Sequence, residues 1–118
     1  MADSGLFIGF GLPVRGREQQ AVEVFNEAVA YYTRLQADGD IEAFEPVFLE
    51  PHGGDLGGFF LLRGDRERLA RIRVSDEFVR LSVRAGLAVE NFGVVGASLG
   101  ERVAQEMSLY MEAAAELV

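Results

Sequence analysis

Few side chains in this sequence could do chemistry, and the first of them is its single histidine. His52 lies in a glycine-rich loop, close to Glu50 and Asp55. Histidine side chains ordinarily titrate near neutrality, so one beside carboxylates could act as a general base or as one ligand of a weak metal site. A solvated turn residue is the alternative, and it is favoured because the sequence shows no second fixed partner for the ring.

Glu45 and Arg63 are the other two catalytic candidates. Alternation along a strand places Glu45 on the same face as Ala43 and Val47, and a carboxylate buried there would need a partner. Arg63, at the end of a neighbouring strand, is the predicted partner. A structural ion pair is one interpretation, and a proton-abstracting carboxylate in a phenylalanine-lined pocket is the other. Pro46 also allows a register in which Glu45 faces solvent.

The composition excludes most other catalytic chemistry. The chain has no cysteine, no lysine and no tryptophan. These absences exclude a P-loop lysine, a Schiff base, a thiolate nucleophile and a disulfide framework, and one histidine excludes paired-histidine metal sites. We therefore expect neither a metal nor a cofactor.

One short motif resembles a nucleophile site and is better explained otherwise. Gly96-Ala97-Ser98-Leu99-Gly100 fits the G-x-S-x-G pattern between a predicted strand and a predicted helix. A hydrolase of that type needs an acid and then a histidine after the serine, and no histidine follows Ser98. We instead predict a capping box, in which Ser98 and Glu101 begin the last helix.

Length and charge bound the class of protein. A chain of 118 residues with 49% hydrophobic residues is expected to form one domain over residues 1–118. It has no apolar run long enough to span a membrane and no secretory signal pattern, so we expect a cytoplasmic protein without membrane association. A net charge of -8 argues against a nucleic-acid partner.

The charge is unevenly distributed. Residues 63–84 contain seven arginines and four acidic residues, which gives this segment a charge of +3. Because the net charge of the chain is -8, the remaining residues together carry -11. A solvated helix surface is the simpler interpretation, since charge runs on helices usually face water. An electropositive surface for an anionic ligand or an acidic partner is the alternative.

Hydrophobic periodicity predicts seven elements in the order strand, helix, strand, strand, helix, strand, helix. Two-residue alternation or short apolar runs mark the strands, and three- and four-residue steps mark the helices. Pro46 indicates an edge position or a bulge in the second strand, and Ser75 is predicted to cap a second segment of the middle helical region. The strands are predicted at Leu6–Leu12, Ile41–Leu49, Phe59–Leu62 and Asn91–Ala97, and the helices begin near Arg17, Asp65 and Ser98.

This order predicts an α+β fold. It is the ferredoxin-like βαββαβ arrangement with an added C-terminal helix and a four-stranded antiparallel sheet. Both faces of the strands are apolar: Leu6 and Ile8 alternate with Phe7, and Phe60 follows Phe59. Because helices cover only one face of such a sheet, we expect a second copy to cover the other, with the last helix wrapping the partner or sealing one end.

The order of elements, the length and the apolar strands resemble the dimeric α/β-barrel superfamily. That superfamily includes antibiotic-biosynthesis-type monooxygenases and muconolactone-isomerase-like enzymes, and its members commonly enclose a ligand pocket between sheet and helices. The resemblance implies such a pocket here and carries over no catalytic residue. The chain differs from the cofactor-free oxygenases of that superfamily because it has no tryptophan and a single histidine.

Two functions remain open at this point. The first is a homodimeric protein that binds a small apolar or aromatic ligand without catalysis. The second is a cofactor-free monooxygenase or isomerase acting on a small aromatic or polyketide-like substrate through His52, Glu45 or Arg63. The scarcity of catalytic side chains favours the first. The residues predicted to line the ligand pocket are Phe7, Phe44, Phe48 and Phe60.

Overall fold

The computed structural model describes residues 2–117, which form one four-stranded sheet and four helices. All strand pairs are antiparallel, and the strand order is β2-β3-β1-β4. This is the ferredoxin-like α+β arrangement with an added last helix, and it confirms the predicted fold class. None of these helices is long and apolar enough to cross a membrane. The elements are β1 (Ser4–Phe10), α1 (Glu18–Ala37), β2 (Ala43–Phe48), β3 (Gly58–Gly64), α2 (Arg66–Val74), α3 (Asp76–Ala88), β4 (Gly93–Ser98) and α4 (Glu101–Glu116).

The strands keep their predicted order, and their ends move by up to two residues. The first strand, predicted at Leu6–Leu12, begins and ends two residues earlier. Ser4 pairs with Gly64 on one side and Ser98 on the other, so backbone pairing continues past the apolar run. Of the two alternatives for Pro46, the edge position is confirmed, because β2 lies at one edge of the sheet.

The middle helical region breaks where its capping residues predict. Asp65 accepts a hydrogen bond from the backbone N–H of Arg68 at 3.1 Å and begins α2. Ser75 then ends α2 and accepts a hydrogen bond from the backbone N–H of Phe78 at 3.4 Å, which begins α3. Each side chain satisfies a helix N–H group that has no partner within the helix.

The predicted capping box at the start of α4 is wrong. Ser98 is the last residue of β4, and its hydroxyl donates to a carboxylate oxygen of Glu106 at 2.5 Å. The N-cap of α4 is Gly100, which makes no side-chain cap and has a φ of +54°. Strand pairing between Ser98 and Ser4 holds the serine in the sheet, so the chain turns at the glycine instead.

The core lies between one face of the sheet and helices α1, α2 and α3. Leu62 is fully buried there and Tyr32 is 2% exposed. Two ion pairs across the surface, Arg34 with Glu77 and Arg84 with Glu27, join α1 to α3. Exposed pairs of this kind contribute little to stability, so burial of apolar side chains is the main force holding the layers together.

Candidate functional site

An apolar cavity of about 510 Å³ lies between the helix-facing face of the sheet and helices α1 and α3. It occupies the end of the sheet where β1 and β2 finish and α1 begins. Its volume falls in the range of small-molecule binding sites in proteins. The small side chains of Ala21, Ala28 and Ala85 line it from the helices, and they leave the space that larger side chains would fill.

Aromatic rings form much of the cavity wall. The ring centroids of Phe10, Phe25, Phe48 and Phe60 lie between 5.1 and 6.4 Å apart in their contacting pairs. The pairs are tilted or edge-on, which are the favourable arrangements for aromatic side chains. No side chain that lines the cavity carries a charge.

Two hydroxyl groups are the polar side chains of the cavity wall, and they belong to Tyr32 and Ser82. The Tyr32 hydroxyl has no hydrogen-bond partner among residues 2–117. In that part of the chain every fully buried side-chain nitrogen or oxygen atom does have a partner. The Tyr32 oxygen therefore borders accessible space. Burial raises the pKa of Tyr32 well above its ordinary value, so the hydroxyl keeps its proton and can donate it to an acceptor.

The mouth of the cavity is apolar and open to solvent. Leu12, Phe48 and Val22 line it and are 71%, 70% and 59% exposed. The loop between β2 and β3 borders this end, because the N–H of Gly57 donates to the carbonyl of Phe10 at 2.8 Å. A ligand could enter here without crossing a charged barrier.

His52 holds that loop together and does not line the cavity. Its Nε2 lies 2.7 Å from the carbonyl oxygen of Leu56, and its Nδ1 accepts from the N–H of Gly54 at 3.2 Å. A neutral ring with its proton on Nε2 satisfies both contacts. This geometry favours the turn interpretation of His52.

Glu45 and Arg63 lie on the opposite face of the sheet from the cavity. Glu45 pairs in register with Leu61 and is exposed, while Arg63 pairs with Ala43 and is half-buried. The ion pairs among the described residues do not include one between Glu45 and Arg63. The three predicted catalytic candidates are therefore not brought together, and none of them reaches the cavity.

The structure separates the four predicted ligand-binding phenylalanines. Phe48 and Phe60 line the cavity. Phe44 packs on the Tyr32 ring at a centroid distance of 5.8 Å, in the same layer but outside the cavity wall. Phe7 lies on the other face of the sheet, with its ring 4.9 Å from that of Phe59.

Several wall residues are missing from the predicted set. Phe25 and Tyr32 belong to the apolar stripe of α1 and are seven residues apart, which places them on one helix face. Phe10 shares a strand face with Ile8. These signals identify core-facing positions, but they do not show which core positions border empty space.

The second face of the sheet, here named the open face, has no helix packed on it. Its apolar side chains come from the positions that alternate with the core. Phe59 and Leu61 are half-buried and Val95 is 56% exposed. The ring of Phe7 leans over Gly9, where an added Cβ would come within 2.7 Å of it.

Three of the seven arginines in segment 63–84 bind other elements of this chain. Arg68 donates to the carbonyl of Gly39 at 2.7 Å, and Arg73 donates to the carbonyl of Val94 at 2.9 Å. Arg84 pairs with a carboxylate of α1. These contacts favour the interpretation of the segment as a solvated helix surface.

No protein-family model matches the chain, and no curated protein matches it in sequence. Solved structures do match. A dimeric ferredoxin-like protein of unknown function from Bacteroides fragilis has a TM-score of 0.60 at 13% identity, covering 81% of this chain and 95% of its own. A dimeric ferredoxin-like protein of unknown function from Jannaschia sp. CCS1 has a TM-score of 0.60 at 16% identity, covering 82% and 98%.

An enzyme is also among the similar structures. SnoaB, a cofactor-independent oxygenase from Streptomyces nogalater, has a TM-score of 0.54 at 14% identity, covering 84% of this chain and 95% of its own. Identities this low establish the fold alone. At that level the expected ferredoxin-like fold is confirmed.

Proposed function

We propose that this chain is a homodimeric binding protein for a small, uncharged, apolar or aromatic molecule, held in the cavity between the sheet and its helices. The observation that carries this proposal is a cavity of about 510 Å³ whose lining side chains include aromatic rings and no charge. A charged ligand would lose its hydration there without gaining an ionic partner, so the cavity selects against it.

The Tyr32 hydroxyl supplies the polar contact in this proposal. It is protonated and has no hydrogen-bond partner among the described residues, so it is free to donate to a carbonyl or hydroxyl oxygen of the ligand. One hydrogen bond on an apolar wall orients a flat molecule and contributes about 0.5–1.5 kcal/mol to its binding. The favoured ligand is therefore an aromatic molecule with one oxygen acceptor.

The homodimer in this proposal forms through the open face. Phe7, Phe59 and Leu61 lie there without a covering element, and apolar patches of this kind mark interaction surfaces. The names of two similar structures call them dimeric, which supports a second copy as the partner. Light scattering across a dilution series tests it, and a monomer at every concentration would contradict it.

The binding site is tested with 1-naphthol, an aromatic ring system with one hydroxyl, followed by its fluorescence. Ala28→Phe fills the cavity from α1, and we expect it to weaken 1-naphthol binding at least tenfold. Ala30→Phe is the matched control, because Ala30 is two residues away in the same helix and exposed. Equal affinity in the two variants would show that 1-naphthol binds elsewhere.

A cofactor-free oxygenase or isomerase is the second candidate, favoured by the structural similarity to SnoaB. Its chemistry would rest on Tyr32 and Ser82, since His52, Glu45 and Arg63 lie outside the cavity wall. Oxygen consumption by the protein with 1-naphthol tests the oxygenase form. Uptake above the buffer rate that is lost in Tyr32→Phe would favour the enzyme over the binding protein.

A further inference from the structure

Helix α4 extends from the rest of the protein without packing on it. None of its residues is buried, although its 16 residues form a regular helix. The Cα radius of gyration is 16.3 Å, whereas a compact chain of this length has about 13.5 Å. A helix in a globular protein gains most of its stability by packing an apolar face, and here that packing is missing.

Four of the five exposed large apolar side chains of α4 lie on one side of the helix, here named the α4 stripe. Val103, Met107, Tyr110 and Met111 follow steps of three and four residues, and they are 50%, 56%, 71% and 64% exposed. The opposite side carries the fifth, Leu109, among polar and acidic residues: Gln105, Glu101, Glu112 and Glu116. The stripe is therefore the side of α4 suited to an apolar partner, and the opposite side is mainly suited to water.

The chain enters α4 from the open-face side of the sheet. Leu99, just before the helix, lies over Gly5 beside Leu61. A Cβ atom added to Gly5 would be 3.1 Å from the Cδ1 of Leu99. Gly5 alternates with the core-facing Leu6, so Leu99 extends the apolar surface of the open face toward α4. The open face and α4 are therefore neighbouring parts of one uncovered surface.

The open face alone is small for a stable dimer. Four strands about 4.8 Å apart and about six residues long present a face of roughly 400 Å². A standard interface takes about 800 Å² from each partner. Half of the curved surface of a 16-residue helix, taken as a cylinder about 24 Å long and about 10 Å in diameter, adds roughly another 400 Å². The open face and one side of α4 together present roughly 800 Å², which is the area that each partner contributes to a standard interface.

From these observations we infer that the α4 stripe docks on a second copy of this chain and forms about half of the dimer interface. This inference rests on the homodimer proposed above and deepens it, because it identifies α4 as an arm that extends from one copy and contacts the other. The arm cannot lie on its own open face in that dimer, since the sheet of the partner covers that face. The α4 stripe is therefore buried only when two copies associate.

Charge substitutions on the two sides of α4 test this interface. Met107→Glu places a carboxylate in the α4 stripe, and we expect the dimer dissociation constant to rise at least tenfold in analytical ultracentrifugation. Gln105→Glu adds the same charge on the opposite side of the helix and should change the constant less than twofold. Met107 and Gln105 are both exposed, so neither change removes a buried core side chain.

A fluorescent label distinguishes docking on a partner from folding back on the same chain. The sequence has no cysteine, so Met107→Cys provides one site for an acrylodan label. We expect its emission to shift to the blue in the dimer and to return to the red as dilution dissociates it. A blue emission that does not change with dilution would place α4 on its own chain and overturn the inference. Gln105→Cys is the control and should emit in the red throughout.

The outcomes distinguish a failure of the α4 inference from a failure of the proposed homodimer. If wild type is a dimer and Met107→Glu associates equally well, the α4 arm is wrong and the homodimer stands. If wild type is a monomer at every concentration, the homodimer is wrong and the arm fails with it. Binding of 1-naphthol is measured independently, because α4 contributes no residue to the cavity.

Discussion

The two faces of the sheet differ although their residues alternate along the same strands. Leu62 faces the helices and is fully buried, while its neighbour Leu61 lies on the open face and is half-buried. The helices of the same chain cover one face, and no element of the described chain packs on the other. Similar apolar residues therefore serve folding on one side of the sheet and are available for association on the other.

The same difference separates ligand binding from assembly. The cavity lies on the helix-covered side, between the sheet and helices α1 and α3 of the same chain. The open face and the α4 stripe lie outside it. We therefore expect changes on the helix-covered side to alter stability and ligand binding, and changes on the open side to alter association.

The largest expected effect comes from truncating the buried member of the leucine pair. Leu62→Ala removes a side chain with 0% exposure, and we expect the free energy of unfolding to fall by about 3 kcal/mol, within the usual range for such changes. Urea unfolding monitored by circular dichroism measures it. Protein concentration is held fixed, because association contributes to the apparent stability.

Leu61→Ala is the matched control for that experiment. It removes the same atoms one residue away, on the open face. At a concentration where the protein is monomeric, we expect a loss of less than about 1 kcal/mol, since the side chain is only partly buried. Equal losses in the two variants would contradict the difference between the faces.

A charge on the open face should have the next largest effect. Val95→Glu places a carboxylate among apolar side chains where the sheets are proposed to meet, and its desolvation should raise the dimer dissociation constant at least tenfold. Light scattering measures the change. Val83→Glu on α3 is the control, because Val83 is 58% exposed, close to the 56% of Val95. Dissociation by both variants would mean that net charge, not the open face, controls assembly.

The smallest effect concerns the buried hydroxyl on the helix-covered side. Burial raises the pKa of Tyr32 above the ordinary value of 10.0, so the unfolded chain loses this proton before the folded chain does. The free energy of unfolding should therefore fall as the pH rises above 10, and Tyr32→Phe should make that fall smaller. Urea unfolding at pH 8 and pH 10.5 measures it.

Wild type and Tyr32→Phe are compared at a protein concentration where the chain is monomeric, because association also contributes to the apparent stability. Part of the fall should remain in Tyr32→Phe, because burial also raises the pKa of Tyr31. An identical pH dependence in wild type and Tyr32→Phe would mean that the hydroxyl ionises equally easily in both states.

Local signals predicted much of the fold because they act over a few residues. Asp65 and Ser75 cap the helices that their positions predict, and Pro46 lies in an edge strand. The capping box at Ser98 failed because pairing with Ser4, which is distant in sequence, holds that serine in the sheet. The candidate site was harder to predict: Phe48 and Phe60 border the cavity, whereas Phe7 lies on the other face.

By itself, the sequence determined the order of strands and helices, the two apolar faces of the sheet and the small set of side chains able to do chemistry. These properties follow from residue type and from periods of two and of three to four residues. Only the tertiary structure decided where space remains between Ala28, Phe25 and Phe60, and that His52 closes a turn outside it. A cavity depends on distances between side chains remote in sequence, and no local period records those distances.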